Sequence, residues 1–535
     1  MKKLVSLFIC LAIVATAMAK PAYRGPITRT LADGTEKVVY MHGDEHFHYM
    51  TDESGEWLDE TTLMPMSAEM KAAKVESGKE IAKALRARKA KEGVGDKPNP
   101  APRGLVILAQ YQDTKFTKMP KDTADSMLNA VNYTRTYSYK TTVSGTLTTV
   151  TVTCEGSVRR YFQDQSYGQY NPQFDVIGPV TLSEKAEYYG ANKDNVRGQD
   201  IRPREMIYEA CKIAHDELGV DFSQYDNDKD NYVDFVYVIY AGYGEADGGG
   251  DNTIWPHQWS LNQFHYYFDG KYLGRYACGC ELNYQTKVYD GIGTFCHEFS
   301  HVLGLPDFYE TASERKGHHT LADWDVMDYG PYNNDGNTPP AYSAYERFYM
   351  GWLTPTLLKD PAKVTLKQIN ADDGYSLVIT EDDEHPTSGW NPNPSIFYLL
   401  EVRKKVGWDA FLPGQGMLIT KVTYDQSKWK SNTVNNDPDA MGVDILEAKT
   451  NTGKLGSAAD VYPQGAKQWT ALENHEITEI TRTKSTGVVT FLYRGGPVEG
   501  IEDIESKDGA IKVLRDGKIV IIRNGVTYDL NGQRL

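Results

Sequence analysis

The segment His297-Glu298-Phe299-Ser300-His301 limits what this chain can be more than any other part of its sequence. On an α-helix, residues four positions apart lie one turn apart on the same face. Two histidines with this spacing can both reach one Zn²⁺ ion at the usual ~2.0–2.1 Å. Glu298 points toward the same cleft, where a carboxylate can take a proton from water activated by the metal. The segment therefore predicts a metal-binding helix with a general base beside the metal.

The residues after this helix can complete the set of ligands. Gly304 suits the left-handed position that ends a helix, and such a turn lets the chain swing back. Asp307, six residues after His301, can then supply a third, oxygen ligand, and Glu310 is the nearby alternative. Three protein ligands and one open position are typical of a catalytic zinc, because a structural zinc has four protein ligands.

A second motif, WDVMDYG, stands at 324–330. Metzincin peptidases place a methionine turn beneath the zinc, and this motif is similar to one. Met327 would then pack under the imidazoles that bind the metal, although a lone methionine is usually a filler of the core. Tyr329, two residues on, could reach the metal or the oxyanion of the reaction.

With these residues in place, the chain resembles the immune inhibitor A-like (M6) family of secreted bacterial zinc metallopeptidases, which are metzincin-like. That family carries Asp where most metzincins carry a third His, which matches Asp307. The resemblance spans much of 105–425 and includes shorter matches: YFQDQSYG at 161–168, WPH at 255–257, GWL at 351–353 and FYLLEVR at 397–403. It implies a zymogen inhibited by its own N-terminal propeptide, protein or peptide substrates, bound Zn²⁺ and frequent Ca²⁺ sites.

An acidic loop at 226–234 is a candidate calcium site. Oxygen-bearing side chains alternate there, and a main-chain carbonyl is expected between the last two, so the ligands would come from Asp226, Asp228, Asp230, Tyr232 and Asp234. The glutamate that ends an EF-hand loop is missing, and the alternative is a solvated acidic turn. A second candidate lies in the next Gly-rich loop, at Glu245, Asp247 and Asp251.

The chain of 535 residues is too long for one ordinary domain. Leu105–Ala109 and Phe235–Ala241 are short apolar runs typical of buried strands, and a helix pattern at 203–218 lies between them. Strand patterns dominate after residue 356. We therefore predict a multidomain chain in which an α/β (α+β), metzincin-like zinc peptidase domain at 101–356 precedes a β-sandwich-like accessory domain at 357–496. A small β module follows at 497–535.

The N-terminal part predicts export and latency. Residues 1–19 have a charged start, an apolar stretch too short for the ~20 residues of a membrane span, and a small-x-small site before Lys20. They are predicted to be a signal peptide, so the protein would be secreted or held at the bacterial cell surface. Residues 20–100 would be the propeptide: a small β unit, a charged helix that begins at Ser67, and a Pro-rich linker. The basic stretch 86–91 is a candidate activation site.

Acidic and histidine side chains of this N-terminal unit offer one way to mask the zinc. They are Asp44, Glu45, His46 and His48.

Composition narrows the remaining function classes. The net charge of −16 argues against general nucleic-acid binding, which needs cations to neutralise phosphate. No segment after the signal is long and apolar enough to span a membrane. Cysteine is too sparse for a disulfide scaffold, and Cys296 is expected in the core. The leading interpretation is a zinc endopeptidase. The alternative is an adhesion or glycan-binding protein with a vestigial peptidase domain, and the end of the chain at 528–535 is similar to sorting modules of exported proteins.

Overall fold

The computed structural model describes most of the chain in several stretches. They are 19–30, 36–44, 47–60, 62–76, 101–143, 146–192, 200–312, 316–371, 374–450, 456–497, 510–515, 518–523, 526–529, 533 and 535. The predicted signal peptide, apart from Ala19, the candidate activation stretch 86–91, and Glu45 with His46 lie outside the described residues.

The N-terminal unit is a four-stranded antiparallel sheet followed by a helix. Its strands are β1 (Pro26–Thr30), β2 (Glu36–Gly43), β3 (His48–Thr51) and β4 (Trp57–Leu58). Helix α1 covers 68–76, and the Ser67 hydroxyl accepts the backbone N–H of Met70 at 3.1 Å, so Ser67 caps the helix as its sequence indicates. The assignment of this unit as a propeptide stays a prediction.

The second unit is built on a five-stranded sheet in the order β11-β14-β10-β5-β8. Four strands run parallel and β11 is an antiparallel edge. The two apolar runs of the sequence form β5 and β10, and strands covered on both faces are expected to be apolar throughout. The strands of this unit are β5 (Arg103–Gln110), β6 (Thr134–Val143), β7 (Thr146–Glu155), β8 (Gln173–Thr181), β9 (Tyr232–Val233), β10 (Val236–Tyr243), β11 (His257–Ser260), β12 (Tyr267–Phe268), β13 (Lys271–Leu273) and β14 (Arg275–Leu282).

Helices cover this sheet, and the helix with the two histidines packs against β14 and β11. The helix pattern at 203–218 appears two residues shorter at its C-terminal end, as Pro203–Asp216. The helices of this unit are α2 (Lys121–Asn129), α3 (Val158–Gln165), α4 (Ala186–Gly190), α5 (Pro203–Asp216), α6 (Gly293–Val302) and α7 (Ala344–Tyr349). Short 3₁₀ turns lie at Phe222–Tyr225, Glu245–Asp247, Asn262–Phe264, Ala322–Trp324 and Gly330–Tyr332.

The third unit consists of a five-stranded and a three-stranded sheet that enclose an apolar core. Its elements are β15 (Thr356–Leu357), β16 (Ala362–Leu366), β17 (Leu377–Ile379), β18 (Ile396–Arg403), a 3₁₀ turn (Gly407–Asp409), β19 (Gly416–Thr423), α8 (Gln426–Lys430), β20 (Val443–Ile445), β21 (Ile477–Arg482) and β22 (Val489–Tyr493). The two units share one hydrophobic core, in which Trp408 meets the Tyr161 ring edge-on with centroids 5.1 Å apart. The second and third units therefore pack against each other across the predicted domain boundary at residue 356.

A buried ionic network also joins the two units. The Arg403 guanidinium binds Asp409 through two hydrogen bonds of 2.8 and 2.5 Å and Glu401 at 3.1 Å, and it donates to the Ala341 carbonyl of the second unit at 2.9 Å. Arg403 and Asp409 have no exposed side-chain surface. Removing one partner of such a network leaves charges buried without compensation.

We expect Arg403→Ala to lower the free energy of unfolding by about 3–5 kcal/mol, because Asp409 and Glu401 would stay buried without their cationic partner. Urea unfolding followed by tryptophan fluorescence measures the change. Arg160→Ala is the control, since Arg160 pairs with Asp164 while 48% exposed and should cost about 1 kcal/mol or less. Equal midpoints for the two variants would contradict the role of this network.

The last described residues form a three-stranded antiparallel sheet, with β23 (Ala510–Arg515), β24 (Lys518–Arg523) and β25 (Val526–Tyr528). The Asp-Gly and Asn-Gly pairs that separate these strands in the sequence, at 516–517 and 524–525, lie outside the described residues. Among the helices that the structure describes, none has the length and apolar character needed to cross a membrane.

Candidate metal centre

Helix α6 is fixed at both ends by glycine. A Cβ on Gly293 would lie 2.1 Å from the Pro331 carbonyl oxygen, so only glycine lets the helix begin against the turn at Gly330–Tyr332. At the other end, Gly304 has a φ of +103°. The N–H groups of Gly304 and Leu305 bond to the carbonyls of residues 301 and 300 at 3.0 and 3.1 Å, which is a Schellman ending. This turn sends the chain back toward the helix, as the sequence predicts.

The turn brings Asp307 to the two histidines. His297 Nε2 and His301 Nε2 are 3.1 Å apart, and Asp307 Oδ1 lies 3.3 and 3.2 Å from them. A tetrahedral zinc with bonds of ~2.0–2.1 Å has ligand-to-ligand edges of about 3.3 Å. All three side chains are buried. The three atoms therefore have the spacing of ligands around one small cation.

Hydrogen bonds outside the cluster fix the ligand atoms. His297 Nδ1 donates to the Val326 carbonyl and His301 Nδ1 to the Leu305 carbonyl, both at 2.7 Å. In the neutral rings, Nε2 then carries a lone pair. Two lone pairs and a carboxylate oxygen facing one another would repel, and a metal cation is the partner that suits all three. The residues present thus fit a zinc ion.

The electrostatics of the pocket lead to the same conclusion. Burial alone would raise the pKa of Asp307, but the imidazoles of His301 and His297 hold it well below its usual range, so the carboxylate is ionised. Burial lowers the pKa of His297, yet Asp307 and Glu298 raise it to about 9. The three side chains therefore favour positive charge at the point where they meet.

Asp307 is held in place by the third unit. Asn432 donates from Nδ2 to Asp307 Oδ2 at 2.5 Å and accepts the Asp307 N–H at 2.8 Å. The alternative ligand Glu310 instead accepts the backbone N–H groups of Lys316 and Gly317, at 2.7 and 3.0 Å. Among the described residues, Asp307 is therefore the carboxylate that joins the two histidines.

The WDVMDYG motif is hydrogen-bonded to the segments that carry the candidate metal ligands. Val326 accepts the hydrogen bond of His297, and the Met327 carbonyl accepts the N–H of Phe308 at 2.8 Å. Met327 is fully buried. The motif is thus tied both to a candidate ligand histidine and to the residue after Asp307, and its role as a methionine turn stays a prediction.

Glu298 faces a segment of the N-terminal unit. Its Oε1 accepts the backbone N–H of Lys20 at 3.1 Å, and Glu298 is fully buried. The carbonyl of Ala19, the other half of the same peptide bond, accepts a hydrogen bond from the Tyr309 hydroxyl. The sequence instead predicts that Asp44, Glu45, His46 and His48 mask the zinc. Of the described residues in this set, Asp44 caps the N–H of Phe47 at 3.0 Å and His48 stacks on Trp255.

Sequence reasoning singled out Tyr329, and the structure brings a second tyrosine, Tyr309, against the N-terminal segment. Arg24 belongs to the N-terminal segment, and its guanidinium carbon lies over the Tyr329 ring, 3.0 Å from the ring centroid. Tyr309 lies two residues after Asp307 and is 1% exposed, so its hydroxyl is aimed by the same turn that places the ligand. The spacing Asp-Phe-Tyr was the available signal, but the direction of the turn could not be read from it.

The acidic loop at 226–234 is only partly gathered. Asp226, Asp228 and Asp230 converge, but the Lys271 ammonium binds Asp226 at 2.6 Å. Asp234 Oδ2 accepts the backbone N–H and the side-chain amide of Asn227 at 2.6 and 2.7 Å. The N–H of Tyr232 donates to Asp230. Calcium binding here stays a prediction.

The second candidate cluster does not converge on one point, since Glu245 binds Asn192, Asp247 binds Lys20 and Asp251 pairs with Arg29.

A buried helix with two histidine ligands, a returning aspartate and an adjacent glutamate places this unit in the class of metallopeptidases. Comparison with known proteins agrees. Residues 99–353 match the family model described as "Immune inhibitor A peptidase M6, catalytic domain", and the chain therefore carries a catalytic domain of the M6 family of metallopeptidases.

Curated relatives support this assignment. "Immune inhibitor A" of Bacillus thuringiensis subsp. alesti is 32% identical over 211 residues, which cover 35% of this chain and 30% of that protein. "Pre-pro-metalloprotease PrtV" of Vibrio cholerae serotype O1 strain M66-2 is 26% identical over 219 residues, covering 36% of this chain and 23% of that protein. The chain thus spans less than a third of the length of these relatives.

Proposed function

We propose that this chain is an exported, zinc-dependent endopeptidase that hydrolyses peptide bonds of protein substrates. The observation that carries the proposal is the convergence of His297, His301 and Asp307, with Glu298 beside them. The predicted signal peptide at 1–19 supports export to the medium or the cell surface.

In this mechanism, His297, His301 and Asp307 hold the zinc, which when bound would polarise the scissile carbonyl and lower the pKa of water to about 7. Glu298 takes the proton of the attacking water and passes it to the nitrogen of the leaving amine. The contact of the Lys20 N–H with Glu298 Oε1 supports the second step, because it places an amide nitrogen 3.1 Å from the carboxylate.

Tyr309 stabilises the oxyanion in this proposal. In the chain that still carries Ala19, its hydroxyl donates to the Ala19 carbonyl, and the N–H of the same peptide bond meets Glu298, so the hydroxyl lies on the side where a substrate carbonyl would gain charge. A preorganised donor at that position acts mainly in the transition state.

We expect Tyr309→Phe to lower kcat by about 10²-fold with little change in KM, because the lost hydrogen bond strengthens as charge develops. Steady-state hydrolysis of a quenched fluorescent peptide measures both constants. Tyr329→Phe is the matched control and should change kcat by less than about 10-fold, since its ring contacts Arg24 of the N-terminal segment. The opposite order would return the oxyanion role to Tyr329.

The N-terminal unit is proposed to act as the inhibitory propeptide. Lys20 and Pro21, the first residues after the predicted signal peptide, cross the centre and engage Glu298, Trp255 and Tyr332. A substrate cannot use the same hydrogen bonds until this segment leaves.

Casein hydrolysis by the zinc-loaded chain tests the function, before and after the linker near residue 90 is nicked by limited subtilisin digestion. Cleavage that appears on nicking and is lost on chelation supports the endopeptidase. Zinc binding without cleavage of casein or unfolded proteins after nicking would favour the adhesion alternative.

A further inference from the structure

The N-terminal segment lies in the centre with the polarity of a substrate. The N–H of Lys20 meets Glu298, which would protonate a leaving amine, and the preceding carbonyl meets Tyr309. The Lys20 carbonyl then accepts the Trp255 indole N–H at 3.1 Å. Lys20 therefore occupies the position of the residue that follows the scissile bond, and it is also the first residue of the chain once the predicted signal peptide is removed.

The side chain of Lys20 enters a buried acidic pocket. Its ammonium lies 3.0 Å from both carboxylate oxygens of Asp247 and 3.1 Å from the Thr294 hydroxyl. Thr294 donates in turn to Asp290 at 3.0 Å. The Tyr332 ring lies 4.9 Å from the ammonium. We call Asp247, Thr294 and Asp290 the lysine pocket.

The pocket is built for a cation. Lys20 and Asp247 are each 2% exposed, so both charges are removed from water. Burial alone would lower the pKa of Lys20, but Asp247 and Asp290 raise it above its usual value and keep the ammonium charged. A buried carboxylate without a counter-ion is costly. When the N-terminal segment leaves, the pocket therefore favours another cationic side chain.

The shape of the hydrogen bonding favours lysine over arginine. An ammonium has three donors around one atom, and here it meets the two Asp247 oxygens and the Thr294 hydroxyl. A guanidinium is planar and larger, so it cannot reproduce this arrangement without moving the pocket.

We infer that the lysine pocket is the subsite for the residue after the scissile bond and that it makes the enzyme cleave on the amino side of lysine. Asp247 is the specificity-determining residue. The inference rests on the proposed endopeptidase function and names its substrate class.

The test uses the full chain, loaded with zinc, nicked with subtilisin and then treated with phenylmethylsulfonyl fluoride. Its substrates are quenched fluorescent peptides that differ only after one Ala-X bond, with X as lysine, arginine, norleucine or glutamate. We expect kcat/KM for lysine to exceed that for norleucine, which has a similar chain but no charge, by about 30-fold or more. Asp247→Asn should remove this preference, so that its kcat/KM values for the lysine and norleucine peptides become similar. Asp251→Asn is the matched control in the same loop and should keep the preference, since Asp251 is 46% exposed and pairs with Arg29.

A second measurement does not depend on activity. In the full chain before nicking, the Lys20 ε-amine should resist acylation by a succinimidyl acetate. It should react at least about 10-fold faster in Asp247→Asn, with Asp251→Asn unchanged, because truncating a buried charge pair weakens it by at least that factor.

Each outcome has one meaning. Cleavage of all four peptides at similar rates, or an equal loss in Asp247→Asn for lysine and norleucine, overturns the lysine pocket and leaves the endopeptidase intact. If no peptide and no casein is cleaved, the result contradicts the proposed endopeptidase function instead. In that case the acylation rates decide whether the pocket binds lysine, and equal rates in wild type and Asp247→Asn overturn it.

Discussion

Replacing Glu298 by Gln is expected to lower kcat by about 10²–10⁴-fold while zinc stays bound. The substitution keeps the size of the side chain and its place on α6, but an amide cannot accept the proton of the attacking water. Glu298 is absent from the set of three converging ligand atoms, so the metal should remain. Peptide hydrolysis and zinc content, measured on the same nicked sample, give both quantities.

Glu310→Gln is the control for this variant. Glu310 is 5% exposed and lies near the centre, but its carboxylate binds backbone N–H groups of its own loop. It should retain activity within about 10-fold, a change smaller than the loss of a general base produces. Activity in Glu298→Gln at the level of Glu310→Gln would mean that another group takes the proton.

Replacing Asp307 by Asn should release the metal. The neutral amide loses the charge that balances the cation in a fully buried site, and it weakens the hydrogen bond that Asp307 Oδ2 accepts from Asn432. The dissociation constant for zinc should rise by more than the 10–100-fold that loss of a supporting hydrogen bond costs. Competition with a chromogenic chelator measures it, and activity should fall in parallel.

Thermal unfolding gives an independent check on Asp307. Zinc binds the folded site, so chelation should lower the Tm of the wild type and have little effect on Asp307→Asn, which has little metal to lose. Glu310→Gln should behave like the wild type in both assays. A normal zinc affinity in Asp307→Asn together with a weakened one in Glu310→Gln would exchange the two assignments.

Most of the candidate metal centre could be predicted from the spacing of nearby residues in the sequence. The histidines at i and i+4, the glycine after the last helical turn and the aspartate beyond it are all set by helix geometry. The apolar runs at 105–109 and 235–241 likewise indicated β5 and β10, because strands buried on both faces need no polar residues. These features depend on neighbours in the chain.

The features that sequence reasoning missed depend on contacts between distant segments. Lys20 and Glu298 are 278 residues apart, and Asp247 is 227 residues from Lys20. Asp247 was therefore placed in a candidate calcium site with its near neighbours, although its partner is a lysine of the N-terminal unit. Asn432, which supports Asp307, belongs to the third unit, and nothing in the sequence around it indicates a contact with Asp307.

The central claim is that one metal ion, held by His297, His301 and Asp307, works with Glu298 to cleave peptides. Stepwise addition of zinc to metal-depleted, nicked protein tests it most directly. We predict that activity rises linearly and stops at about one equivalent of zinc per chain, while Glu298→Gln binds the same equivalent and stays inactive. Activity that is already full without zinc, or that rises equally in Glu298→Gln, would contradict the account.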